Sequence, residues 1–473
     1  MDSETRERER PYLWTAAVLL ASTPLVVLLC LTLWRMPFPV SEAVAIFEDI
    51  TRRPLSDFVR PDAAYYYRPL FYSTISAVWQ HAGSLAAALS WITLLHIVPI
   101  AALVLLFVCH LRPRTAADAA IAATAVAVLI GSPGFRDNLE LPLSYTIIGM
   151  PLALAVWILL TRERRPWHLP TIVLLTLVAI GFKEQGLVLV PLVIAAWWTR
   201  APGASGATAA TLAGIAVVYV VLRLMWRASW SMFEQAVGLG FGEMEPAEAV
   251  ERFGSFPYVL YAYSSASTIA NVLFAEPTRG TFMIVRSIVS GDPQPWQLVH
   301  LGSSVTLTAT IAWWGVRALR RVRRDGWSPD ARLSLALVVV LIASGVLSAN
   351  YSRDRLGGMV VPLYAVAAFH ALRMAVDRTS AARRIPYAMA AATLFLIAVG
   401  WQLRAVGTLE RVRLTSLRNQ TEWLVAMPER RREFGERPTY LQIMDSMATQ
   451  GTTPGVPQPT RYPRWMSRWI GEL

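Results

Sequence analysis

The stretch 169–198 reads LPTIVLLTLVAIGFKEQGLVLVPLVIAAWW, two apolar arms on either side of Lys183 and Glu184. Whether it forms one helix or two decides the topology of everything after it. A single helix would set Lys183-Glu184 mid-membrane and invert each later segment. The cluster Arg317–Arg324 would then face outside, against the tendency of basic residues to stay cytoplasmic. A helical hairpin instead leaves arms at 169–182 and 186–198, both shorter than the ~20 residues of a full crossing. The hairpin is the better reading. Its short arms put the Lys183-Glu184 tip below the outer surface, in a cavity rather than in bulk water.

Working outward, apolar runs recur along all 473 residues. Hydrophobic residues make up 55% of the chain and charged ones 16%, against ~25% charged in soluble domains. Mean hydropathy is +0.42. The expectation is an all-α polytopic membrane protein with eleven transmembrane segments: 11–34, 83–111, 115–132, 141–161, 169–182, 186–198, 208–226, 299–317, 331–349, 358–372 and 387–405. A membrane domain then occupies 1–405, with helical external loops at 35–82 and 227–298, the latter holding interfacial helices such as 256–274. Residues 406–473 form an external tail. The runs are continuous rather than alternating, which excludes an outer-membrane barrel.

The net charge of +12 sits in short loops, not in a stripe suited to a nucleic-acid backbone, so nucleic acid is excluded as a partner. One set of short loops carries sixteen basic residues, and the opposite set only Arg136, Lys183, Arg353 and Arg355. That bias places the first set and the N-terminus in the cytoplasm and the C-terminus outside. An arginine-heavy composition points to a GC-rich bacterial genome and hence to the plasma membrane. Of 44 basic side chains, Lys183 is the only lysine.

Polar residues beside the apolar runs gather on the outer side: Glu48-Asp49, Tyr67-Arg68-Pro69, Arg136-Asp137, Glu140, Lys183-Glu184 and Arg353-Asp354-Arg355. Charges at membrane depth are costly unless they face a cavity or one another, which makes them functional candidates. A carboxylate such as Asp49 or Glu48 in a partly dry site can deprotonate a hydroxyl nucleophile, although Glu-Asp beside Arg52 and Arg53 also reads as a solvated loop pair. Lys183-Glu184 reads either as a structural ion pair or as a compact cation suited to phosphate oxygens; the lone lysine favours the second. Arg68, Arg353 and Arg355 carry guanidinium forks suited to phosphate, or snorkel at helix ends. His96, deep in its span, reads first as a packing histidine and second as a cavity group. No HxxxH, CxxC, Walker loop or GxGxxG occurs, which disfavours zinc proteases and nucleotide-driven pumps.

The order of these features resembles the GT-C superfamily of membrane glycosyltransferases, the group of protein O-mannosyltransferases and lipid A aminoarabinose transferases. The resemblance rests on Glu48-Asp49 in the first external loop, Tyr66-Tyr67-Arg68-Pro69-Leu70 after it, Leu94-Leu95-His96 in the next span, and Gly181-Phe182-Lys183-Glu184-Gln185-Gly186-Leu187 running on towards Pro191. It covers roughly residues 10–200. It implies sugar transfer from a polyprenyl-phosphate-linked donor to a protein, lipid or glycan acceptor on the outer face. Asp49, or Glu48, would be the general base. Lys183 would stabilise the departing lipid phosphate, Glu184 would orient it, and Arg68 would hold the first loop or touch phosphate. Arg353 and Arg355 are placed beside the phosphate by topology alone, and Arg136, Asp137, Glu140 and His96 are further cavity candidates. A divalent cation, Mg or Mn, would fall on Asp49 or Glu48. The competing readings are a secondary transporter or lipid-carrier flippase and a surface-polysaccharide polymerase. One-sided charges and the absence of a second short hairpin disfavour transport.

Overall fold

The computed structural model describes residues 10–34, 50, 54–59, 68–82, 85–140, 146–225, 237–239, 242–244, 246–254, 258–274, 287–293, 295–349, 354–379, 388–389, 391–410 and 412. Helices dominate. They are α1 (Arg10–Trp34), α2 (Leu55–Val59), α3 (Pro69–His81), α4 (Leu85–Leu111), α5 (Ala116–Gly131), α6 (Pro133–Glu140), α7 (Thr146–Thr161) and α8 (His168–Phe182). A 3-10 turn over Glu184–Val188 leads into α9 (Leu189–Trp198), followed by α10 (Gly206–Met225), α11 (Pro246–Phe253), α12 (Tyr258–Phe274), α13 (Pro295–Asp325) and α14 (Pro329–Leu347). A second 3-10 segment, Asp354–Val360, runs into α15 (Val361–Thr379), and α16 covers Ala391–Glu410.

Every one of the eleven expected segments contains helix, and the chain is a helical membrane protein. Five stretches are long and apolar enough to cross a bilayer: Tyr12–Trp34, Ser90–Leu111, Pro329–Leu347, Leu356–Asp377 and Ala391–Glu410. The pair Ala116–Gly131 and Pro133–Leu139, bent by 52°, makes a sixth if read as one broken span. The remaining apolar helices are short. The 15 residues of α8 reach only ~22 Å at 1.5 Å per residue, less than the ~30 Å hydrocarbon core. Among the described residues, five or six stretches thus have full crossing length by themselves, and the shorter apolar helices fall below it.

The loops hold two further features. The second loop contains a small antiparallel ladder, Val237–Leu239 against Gly242–Met244, so the fold is not purely helical. Within 256–274, α12 leaves Tyr258 and Val259 exposed on one side and meets the bundle on the other. It packs on α13, α14 and the Asp354–Val360 segment, burying Ser264, Thr268 and Asn271, because Gly345 of α14 lets Ile269 and the Ser265 carbonyl approach closely.

The core centres on α15, whose residues Val361–Phe369 are all buried. A helix apolar on all faces is stable only when surrounded, and α15 is enclosed by α5, α7, α13 and α14. By contrast α1 leaves Leu13, Leu20, Leu28 and Leu31 exposed, as a lipid-facing helix does.

The reversal at Lys183 is present. Lys183 ends α8 in an extended conformation, φ −159° and ψ 141°, so no helix continues through it. Both arms return to one end of the bundle: α8 starts soon after Thr161, and past α9 the Gly203 N–H donates to the Leu160 carbonyl at 3.0 Å. That end is strapped by arginines. Arg332 Nε donates to the Thr199 carbonyl at 3.2 Å, and Arg373 pairs at 3.1 Å with the buried Asp118. Asp118 also accepts the Arg114 N–H, while its own N–H donates to Thr115, the N-cap of α5.

A Cβ on Gly203 would collide with the Leu159 and Arg162 carbonyls, whereas Gly214, midway along α10, has open space around it. Gly203→Ala should therefore destabilise the fold by ~1–3 kcal/mol, and Gly214→Ala should be neutral or stabilising by up to ~1 kcal/mol. Thermal unfolding in detergent compares them; equal midpoints would refute the close approach at Gly203.

Candidate functional site

At the other end of the bundle, opposite the arginine straps, three breaks in helical structure come together. The α6 segment packs on Asp354–Val360, and that segment also touches the Glu184–Val188 turn. Each break leaves helix-terminal backbone groups without intrahelical partners, and inside a membrane those groups must be satisfied by protein or cavity water.

The turn at Lys183 shows how. The Lys183 N–H donates to the Ala179 carbonyl at 2.9 Å, and its own carbonyl accepts the Gly186 N–H at 2.8 Å. Gly186 is required by proximity: a Cβ there would overlap the backbone of Ala179 and Ile180. The chain can thus fold straight back onto α8, which leaves the Lys183 side chain buried.

Arg68 precedes α3, with Pro69 at the first helical position, where a missing N–H costs nothing. Its guanidinium grips Glu184 with both prongs: Nε donates to Oε2 at 2.8 Å and Nη2 to Oε1 at 2.6 Å. The side chains are 12% and 30% exposed, so the pair is partly shielded from water and stronger than a surface bridge. Behind it, Leu70 lies where a side chain on Gly181 would be, 2.7 Å from the Cβ position. The Tyr-Arg-Pro-Leu and Lys-Glu motifs, 116 residues apart in sequence, therefore form one unit. Glu184 is committed to Arg68 by a forked bond, which is a firmer assignment than the orienting role towards Lys183 expected from sequence.

Arg136 is buried in α6 and Asp137 is half-buried beside it. For Glu140 and Arg355 the backbone alone is described; Glu140 ends α6 and Arg355 opens the Asp354–Val360 segment. The packing of these two segments brings the Arg136-Asp137 helix and the 354–355 turn to the same place. Glu48, Asp49, Tyr66, Tyr67 and Arg353 lie outside the described residues. His96 sits midway along α4, buried, with Nδ1–H donating to the Ile92 carbonyl at 3.0 Å, as a packing histidine does. Among the described residues no three His, Cys, Asp or Glu side chains gather in a way that would hold a metal.

Two groups escaped the sequence reading. Gln185 is buried next to Lys183, and its Oε1 has no hydrogen-bond partner among the described residues; it lies inside the quoted motif, but nothing in its spacing sets it apart. Arg404 is buried in α16, where Nη2 donates to the His300 carbonyl at 2.6 Å and the guanidinium lies 4.5 Å from the Trp401 ring centroid. An arginine inside an expected span, 387–405, was the available signal. Its backbone also passes against Gly131 at the end of α5, just before the bend into α6.

Comparison with protein families, with curated proteins and with solved structures gives no match to this chain.

Arg68→Ala and Glu184→Gln should each lower the unfolding temperature. In a double-mutant cycle they should couple by ~1–3 kcal/mol, the range for hydrogen bonds to charged groups. A coupling indistinguishable from zero would refute the forked pair as a structural clasp.

Proposed function

We propose that this chain is an eleven-pass membrane glycosyltransferase of the GT-C type, moving a sugar from a polyprenyl-phosphate donor to an acceptor on the outer face of a bacterial plasma membrane. The observation that carries the proposal is the buried Lys183 at a tight turn clasped by the Arg68–Glu184 fork. The group sets a compact ammonium beside a forked guanidinium–carboxylate pair. A cation buried beside apolar spans is a functional candidate, and a compact point charge suits the phosphate of a lipid-linked sugar.

In this reading the acceptor hydroxyl oxygen attacks the anomeric carbon of the donor sugar. The bond from that carbon to the phosphate oxygen breaks, and its electron pair leaves with the polyprenyl phosphate. The hydroxyl proton passes to Asp49, or to Glu48. Lys183 faces the charge that develops on the leaving phosphate, where one well-placed donor is worth ~3–4 kcal/mol. Glu184 and Arg68 hold the turn that aims it, and Arg136, Asp137, Glu140, Arg353 and Arg355 line the rest of the cavity. A Mg or Mn ion would be held by Asp49 or Glu48; the chemistry above does not depend on one. The arginine-strapped end faces the cytoplasm, with the N-terminus, and the C-terminal tail lies outside.

One observation favours a second reading. Transporters bind cargo at interrupted helices, and here the bent α5–α6 pair adds a second interruption beside the Lys183 turn. A lipid-carrier flippase would use the same cation to hold a phosphate without breaking a bond. A surface-polysaccharide polymerase shares the donor chemistry but has no such observation in its favour.

The test incubates purified protein in nanodiscs with a panel of polyprenyl-phosphate sugars and an acceptor extract, and follows free polyprenyl phosphate. Wild type should release it. Asp49→Asn should abolish release, and Lys183→Ala should slow it by ~100–1000-fold, with folding intact in both. Lys183→Arg should also fall well below wild type if a compact ammonium is needed. Donor translocation across a vesicle membrane without release would replace this proposal with the flippase reading.

A further inference from the structure

We propose that the cytoplasmic end of α13 is a binding site for an anionic phospholipid of the adjoining leaflet, at the opposite end of the bundle from Lys183. The 31 residues of α13 reach ~46 Å, so a helix crossing at the expected 299–317 would carry its last two turns beyond the ~30 Å hydrocarbon core. There a groove of about 710 Å³ is lined by Trp313, Val316, Arg317, Arg320, Arg321 and Arg324. These positions follow the spacing i, i+3, i+4, i+7, i+8, i+11, which is one face of a helix. Trp314 and Ala318, on the other side, are buried in the bundle, so the basic face looks outward.

The order of groups along that face matches the profile of a phospholipid. Trp313 and Val316, both exposed, lie towards the hydrocarbon, as interfacial aromatics do. The guanidiniums follow within the next two or three turns, where phosphates lie, and their planar forks suit phosphate oxygens. Arg324 shares its charge with its neighbour Asp325. Arg317, Arg320 and Arg321 have no ion pair among the described residues, unlike Arg332 and Arg373 at the same end, which the fold uses for its own contacts. Charge complementarity therefore selects an anionic headgroup over a zwitterionic one. Basic pockets beside spanning helices on that side of a membrane bind such headgroups.

The test titrates the purified full chain with phosphatidylglycerol or phosphatidylcholine and counts bound lipid by native mass spectrometry. It compares wild type, Arg320→Gln/Arg321→Gln and a control, Arg164→Gln/Arg165→Gln, which removes the same charge from the same end outside the groove. Wild type should retain phosphatidylglycerol in preference to phosphatidylcholine. The groove variant should bind it at least tenfold more weakly, the control less than twofold, with thermal unfolding of the lipid-free proteins alike. Equal weakening in both variants would show diffuse surface charge and overturn the site. So would equal retention of the two lipids, or saturable binding of a soluble acidic peptide that phosphatidylglycerol fails to displace.

Discussion

A chain that turns back inside a membrane must satisfy every backbone group it exposes at the turn, and the rest of this structure is organised around that constraint. At Lys183 the α8 helix stops, the Lys183 carbonyl takes the Gly186 N–H, and the chain reverses against Ala179 and Ile180. The turn is too short to be stabilised by its own hydrogen bonds alone. Arg68, arriving from the first loop, fixes it from the side through Glu184, and Leu70 fills the space that Gly181 leaves open. The α6 and Asp354–Val360 segments then pack around the same end. Each is an interruption of helical structure that would be unstable facing lipid, and each becomes tolerable because the others cover it.

Much of this was legible in the chain. Long apolar runs locate helices whatever their partners, so all eleven expected segments are helical. The hairpin at 169–198 could be inferred because a continuous helix would have inverted the arginine distribution, a global consequence of a local choice. What could not be read was how far each helix extends as a straight span. Pro133–Glu140, PGFRDNLE, is polar enough to pass for a loop; it is helical because it has the Asp354–Val360 segment to lie on, and that neighbour is more than 200 residues away in sequence. The same holds for α12, whose polar Ser264, Thr268 and Asn271 suggest a surface helix until α14 is placed against them. Periodicity reports what one segment could bury, not whether a partner arrives to bury it against.

The candidate site was partly legible for a related reason. Arg68 and Glu184 could be singled out by residue type and position beside apolar runs, but their pairing is a tertiary fact. Before the structure, Glu184 was free to be assigned to its neighbour Lys183. The structure adds Arg68 as a partner, since a guanidinium can engage both oxygens of one carboxylate and an ammonium cannot. Gln185 and Arg404 show the opposite limit. Both are ordinary letters in apolar surroundings, and burial alone makes them notable.

The arginines illustrate why the single lysine bears on function. Arginine serves here as a fork on Glu184, as a strap on a loop carbonyl at Thr199, as a partner to buried Asp118, and as a buried donor stacked on Trp401. Each role uses the planar, multi-donor geometry of the guanidinium, and all belong to the architecture. Lys183 stands at a confined turn, one that excludes even a methyl group three residues on at Gly186. A compact charge on a flexible stem suits such a place, because it can follow an anion through small displacements without needing two oxygens in a fixed plane. A static clasp favours the fork. A group that must stabilise charge as it moves from a breaking bond onto a departing phosphate favours the ammonium, and that difference connects the geometry of the turn to the chemistry proposed for it.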